Sequence, residues 1–166
     1  MNETIPDKAT IVSWLEEVKD PEVPVLSVID LGIVRDIRLQ DADMEIVITP
    51  TYSGCPAMDM IATMIKMEMA SHGFPSAKIT TVLSPAWTTD WMTEKGKQQL
   101  KEYGIAPPHP KQQGCDQRLF QEAEAVQCPR CGSYHTQRIS EFGSTACKAL
   151  YQCEDCREPF DYFKCH

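Results

Sequence analysis

The sequence predicts an α+β domain of element order α-β-β-α-β-α, followed by a small four-cysteine zinc ribbon. Three observations predict it. Residues 8–103 switch between helical and strand periodicities. Residues 105–125 carry Pro107, Pro108 and Pro110 and then a polar run, which reads as a linker. Beyond it, Cys128-Pro129-Arg130-Cys131 and Cys153-Glu154-Asp155-Cys156 stand 21 residues apart, enough for a strand, a turn and a returning strand. The expected division is residues 1–104 as the α+β domain, 105–125 as the linker and 126–166 as the ribbon.

In chain order, residues 8–19 form an amphipathic helix with Ile11, Leu15 and Val18 on one face, ended by Asp20-Pro21 because a residue before proline avoids helical dihedrals. Ile33, Ile37 and Leu39 share a strand parity that Arg35 interrupts. Met44, Ile46 and Ile48 define a second strand, with a hairpin turn at Gln40–Asp43 between the two. A loop at 50–54 leads into a helix from about Pro56 to His72, with Gly73 in the C′ place. Ala77–Leu83 reads as a third strand and Thr93–Tyr103 as a last helix before Gly104. One helical turn is expected near Arg118–Ala125, and ribbon strands at Thr136–Ile139, Leu150–Cys153 and Phe160–Phe163.

Each C-x-x-C pair can bend into a knuckle that aims two sulfurs at one point, and two knuckles close a tetrahedron of thiolates. Cys128, Cys131, Cys153 and Cys156 are therefore the expected ligands of one structural metal, with Gly132 supplying a turn of positive φ. Zinc is the default, a single iron would fit the same sulfurs, and a disulfide reading stays open. A site with four protein ligands has no open position and performs no chemistry.

Hydrophobic residues make up 42% of the chain and charged ones 24%, which is a globular composition. The most apolar stretch, 58–69, is broken by Asp59, Lys66 and Glu68, so no membrane span is expected. The N-terminal residues lack a basic region followed by an apolar run, so a reducing cytoplasm is expected for the eight cysteines. Net charge is −8, and residues 125–166 balance five basic against five acidic side chains. That ribbon has no basic face for phosphates, which speaks against nucleic-acid binding. The chain also lacks a nucleotide-binding glycine loop, a G-x-S-x-G elbow, an H-E-x-x-H helix and an E-x-x-H pair.

Chemistry then rests on Cys55. Cys55-Pro56 sits where the second helix is expected to start, so the thiol would face unpaired N–H groups and the positive helix end, which stabilise a thiolate. Thr49, Thr51 and Ser53 surround it with hydroxyls. The plainer alternative is a small cysteine packed under the helix. Asp20-Pro21-Glu22 offers two carboxylates on a rigid loop that could orient a thiol, accept metal or only cap a turn. Met58, Met60, Met64, Met67 and Met69 are read as adaptable core or as a partner face, and Trp87 and Trp91 as core or docking surface. Cys147 and Cys165 are either buried thiols or a secondary soft-metal or redox pair, and Cys115 falls in the linker.

Asp20-Pro21-Glu22 and Thr49-Pro50-Thr51-Tyr52-Ser53-Gly54-Cys55-Pro56, in this element order, resemble the SufT-type domain of iron–sulfur protein assembly. Pro85–Met92, Glu141–Tyr151 and Cys156–Phe160 extend the likeness to the PaaD-type accessory subunits of bacterial phenylacetyl-CoA 1,2-epoxidase systems. That resemblance implies a cytoplasmic, non-catalytic role in aerobic phenylacetate catabolism, in maturation, assembly or stability of the monooxygenase complex. Oxygenase and reductase subunits are then the partners, and a homo-oligomer is compatible. It implies one structural zinc per chain on the four knuckle sulfurs. It also implies a transient iron or iron–sulfur cluster handled by Cys55 beside Asp20 and Glu22. Two alternatives remain: a scaffold subunit using the ribbon and Trp87/Trp91, and a thiol redox protein using Cys55.

Overall fold

The computed structural model describes residues 6–40, 43–109 and 125–164. The chain divides into two units, Met1–Trp87 with Trp91–Thr93 and Thr88–Asp90 with Glu94–His166. In the first, helix α1 spans Lys8–Leu15 and starts because the Asp7 carboxylate accepts the Thr10 N–H at 2.8 Å. It ends four residues earlier than periodicity predicts. The Asp20 N–H bonds the Leu26 carbonyl and the Val28 N–H bonds the Val18 carbonyl, each at 2.9 Å. This pairing, with Lys19 opposite Ser27, pulls residues 18–20 out of the helix.

Strands β1 (Val34–Gln40) and β2 (Asp43–Ile48) are antiparallel, and β3 (Lys78–Thr81) runs parallel to β2, giving the order β1-β2-β3. Pairing passes from Val34–Ile48 directly to Asp36–Val47, so Arg35 is a bulge at the residue that broke the parity. One face buries Ile37, Met44, Ile46 and Ile48. The other carries a cross-strand ladder, with Arg38 bonding Asp36 and Glu45 at 3.0 Å each and the Thr80 hydroxyl donating to Glu45 at 2.6 Å. Pairs this exposed are screened by solvent and order the strands more than they stabilise them.

Helix α2 (Met58–Ser71) links β2 to β3 and buries Ile61, Ile65 and Met69, each worth roughly 1.5–3 kcal/mol. It closes as expected at Gly73. The Gly73 N–H bonds the Ala70 carbonyl at 3.1 Å and the Phe74 N–H bonds that of Met69 at 2.9 Å. Trp87 belongs to this core: it is buried, and its Nε1–H donates to the Leu31 carbonyl at 3.0 Å. The Arg35 guanidinium covers the half-buried Trp91 ring at 3.4 Å. A docking surface made of both tryptophans is thereby corrected, because the indole N–H of Trp87 is consumed inside.

In the second unit, α3 (Glu94–Tyr103) buries Leu100, and β4 (Ile105–Ala106), β5 (Thr136–Ser140), β6 (Lys148–Cys153) and β7 (Pro159–Phe163) form a sheet of order β4-β7-β6-β5. β5–β6 and β6–β7 are antiparallel, as a ribbon requires. Two expectations need correction. Ile105 and Ala106, read as the start of the linker, pair in parallel with Asp161 and Tyr162. Helix α3, assigned by chain order to the first domain, falls in the second unit. The helical turn expected near 118–125 lies, up to residue 124, outside the described residues. Ala106, Val126, Ala149, Tyr151, Phe160 and Tyr162 build a core around Cys128 and Cys153. Among the described residues, no helix is long and apolar enough to cross a membrane.

Candidate metal centre and thiol site

Both knuckles are built by the same backbone device. The Cys128 N–H bonds the Ser133 carbonyl at 2.8 Å, and the Cys153 N–H bonds that of Glu158 at 3.0 Å, each five residues on. The position after the second sulfur has positive φ in both, +77° at Gly132 and +65° at Arg157. Glycine enters that region freely, whereas a residue with a Cβ is strained by roughly 1 kcal/mol. Arg157→Gly is therefore expected to leave metal content unchanged and to raise the ribbon's stability by a few tenths to about 1 kcal/mol. Denaturant titration checks it, and a loss of stability would show that the Arg157 side chain outweighs its strain.

The four sulfurs converge to within 4.8 Å of one another, with Cys131–Cys153 at 3.5 Å and Cys128–Cys156 at 3.8 Å. A tetrahedral ion with bonds of about 2.3 Å holds its sulfurs about 3.8 Å apart. A disulfide would hold them at about 2.0 Å. The residues fit a four-thiolate metal site and do not form disulfides. The backbone N–H of Ser133 draws the Cys131 thiol down, but desolvation and the three other sulfurs push it up to about 12. The Cys156 and Asp155 N–H groups, aimed at the Cys153 sulfur, bring that thiol down to about 7 despite desolvation. Cys128 and Cys153 are buried, Cys156 is half-buried and Cys131 is exposed.

Sequence reasoning missed the groups that tie the knuckles together. Ser133, after the first pair, donates its hydroxyl to Asp155 inside the second, and His135 Nδ1 lies 3.3 Å from the same carboxylate. The Ser133 bond first, then His135, hold the Asp155 carboxyl below its ordinary range. Arg130, inside the first pair, bonds Glu158 at 3.1 Å. The available signal was position: each sits within or within four residues of a C-x-x-C. His135 supplies no ligand. Cys147 is buried, with its sulfur 3.0 Å from the Thr145 hydroxyl, and stands outside the four-sulfur group. Cys115 and Cys165 lie outside the described residues.

Cys55 is half-buried in the turn before α2. It is not at the helix cap. Its N–H bonds the Tyr52 carbonyl at 3.2 Å, its carbonyl accepts from Met58 at 3.3 Å, and the helix begins only at Met58 with Ala57 as N-cap. The expected depression of its pKa is corrected as well. Burial raises the thiol above its ordinary value, the Ala57 N–H opposes, and the Glu22 and Asp20 carboxylates raise it further. Those carboxylates thus lie within electrostatic reach of the sulfur. Of the expected hydroxyls, Thr51 draws the thiol slightly down, Ser53 is exposed, and Thr49 is buried with its Oγ1 unpaired. Asp20 Oδ1 accepts the Glu22 and Val23 N–H groups at 2.7 and 2.8 Å, so this oxygen shapes its own loop.

Residues 8–82 match the family described as iron-sulfur cluster assembly protein, and residues 112–164 the PaaD zinc beta ribbon domain. The chain is 50% identical over 160 residues to an Escherichia coli (strain K12) protein named as one subunit of a "Putative 1,2-phenylacetyl-CoA epoxidase", covering 96% of this chain and 94% of that one. It is 34% identical over 101 residues to an "Fe-S protein maturation auxiliary factor" of Porphyromonas gingivalis, covering 60% of this chain and 95% of that one. A solved structure of a domain of unknown function, DUF59, from Bacillus anthracis is similar at TM-score 0.52 and 25% identity, covering 56% of this chain and 90% of that one.

Proposed function

Because the chain belongs to the PaaD family, an iron–sulfur assembly domain followed by a zinc ribbon, we propose that it is a non-catalytic accessory factor of a phenylacetyl-CoA epoxidase system. It assists the loading of iron or an iron–sulfur cluster into the oxygenase or its reductase, in the cytoplasm. The carrying observation is one thiol, Cys55, half-buried and within electrostatic reach of the Glu22 and Asp20 carboxylates, in a domain whose relatives are named for Fe–S maturation. Cys128, Cys131, Cys153 and Cys156 hold a structural zinc, whose chemistry is to fix the ribbon.

A raised thiol suits cargo handling better than redox catalysis. It keeps its proton at neutral pH, when Asp20 and Glu22 would repel a thiolate, and gives it up when the charge of an arriving cation offsets that repulsion. The same shift runs opposite to what a thiol redox protein uses, a thiolate at rest. In cells lacking the natural copy, Cys55→Ser is expected to lower iron content of the partner oxygenase or reductase severalfold while the accessory chain still accumulates and co-purifies. Unchanged iron loading would end the cargo reading. A scaffold role alone is the second reading, favoured by Ile139 and Phe142, which are 52% and 64% exposed on and beside the edge strand β5. Co-purification that survives Cys55→Ser but fails after Cys128→Ser, with iron loading unchanged in the former, would select it.

A further inference from the structure

We propose that the outer face of α2 docks a basic amphipathic helix of a partner protein. The helix has two apolar stripes. Ile61, Ile65 and Met69 face inward and are at most 1% exposed. Met60, Met64 and Met67, spaced by four and then three residues, fall within roughly 60° of one another on the opposite side. Met60 and Met67 are 55% and 68% exposed, and Met64 is half-buried.

A surface helix ordinarily keeps one apolar stripe and turns charge to water. Ser71 continues the line of the methionines, Thr63 and Glu68 flank it at about 70° on either side, and Asp59 and Lys66 stand further round. A charge-free strip two turns long matches the i, i+3, i+4, i+7 anchors of a helix. Thioethers are unbranched and repack around differing surfaces, which suits a face that must accept and release a partner. Charge chooses the occupant. Residues 1–87 carry six basic and thirteen acidic side chains, so a second copy would bring a second net −7 against the first. A helix with lysine or arginine beside its apolar stripe meets the opposite sign. The face starts five residues beyond Cys55, but the proposal does not depend on metal handling there.

The test uses the full metal-loaded chain and two labelled synthetic helical peptides with one leucine stripe, the polar face lysine in one and glutamate in the other. Fluorescence anisotropy at low salt is expected to show saturable binding of the lysine peptide and none of the glutamate peptide. Met60→Gln/Met67→Gln should weaken binding by about tenfold or more, because two desolvated thioethers are replaced by amides. Met60→Leu/Met67→Leu should stay within about threefold of the parent. Cys55→Ser should leave affinity unchanged, so that a failure here is separable from a failure of cargo handling. Equal binding of both peptides, binding of neither, or full affinity in the glutamine variant would overturn the proposal. So would a dimer in sedimentation that the glutamine variant abolishes, since that assigns the face to a second copy.

Discussion

Cys128→Ser or Cys153→Ser is expected to abolish metal binding and unfold residues 126–164, while the sheet β1–β3 with α1 and α2 stays folded. Both sulfurs are fully buried and sit inside the cluster of Val126, Tyr151, Phe160 and Tyr162, so each is ligand and core at once. A unit of this size has too little apolar surface to hold itself, and a structural zinc contributes on the order of 10–16 kcal/mol to such folds. Cys131→Ser gives the contrast. That sulfur is exposed, so its loss costs a ligand but no packing, and weakened metal retention with partial structure is expected. The sign of the pH dependence follows from the thiols. Those of Cys131 and Cys156 are raised, so they hold protons through neutral pH, and the ion must displace these. Metal affinity should therefore fall as pH drops, with protons released on binding. Metal per chain and hydrogen exchange across β6 and β7 read the result; native protection there without metal would sink the structural role.

Local chemistry was readable from the sequence and long-range pairing was not. The C-x-x-C spacing carried the knuckles, the strands between them and the turn at Gly132, because each depends on neighbours within a few residues. The Schellman end of α2 followed from Gly73 for the same reason. Strand β4 was invisible: two residues, Ile105 and Ala106, become a strand only because Asp161 and Tyr162 lie alongside, more than fifty positions later. Helix α1 lost its last turn to a pairing with Ser27 that no periodicity encodes. At Cys55 the expected electrostatics did not survive the fold. A proline after the cysteine suggested a helix cap, but an extra turn intervenes before Met58, and burial then outweighs the one N–H that reaches the sulfur. The methionines of α2 needed the fold to divide them, since the sequence offers apolar side chains on both faces and only packing decides which face is covered.

Gly32→Ala is expected to cost about 3–5 kcal/mol, far beyond the usual surface substitution. Gly32 has φ of +73°, and a Cβ there would lie 2.1 Å from the Trp91 carbonyl oxygen and 2.5 Å from its carbon. Both are backbone atoms, so no rotamer change relieves the overlap. Nor can the 91–93 segment step aside cheaply. Thr93 donates its N–H to the Asp30 carbonyl at 3.0 Å and its hydroxyl to Asp30 Oδ1 at 2.9 Å. The other Asp30 oxygen accepts the Ser27 hydroxyl at 2.8 Å, and the residue is only 2% exposed. Opening the contact would expose a buried carboxylate's bonds and uncover the Trp91 ring beneath Arg35. Gly54→Ala is the internal control: φ is +91° there too, but nothing lies within 4 Å of the added carbon, so only the backbone penalty of about 1 kcal/mol remains. Urea unfolding of the two variants separates the effects, because the difference between them measures the overlap alone. If Gly32→Ala were no worse than Gly54→Ala, the loop at residues 27–33 would not be clamped by the 91–93 segment, and Asp30 would have to be held by something else.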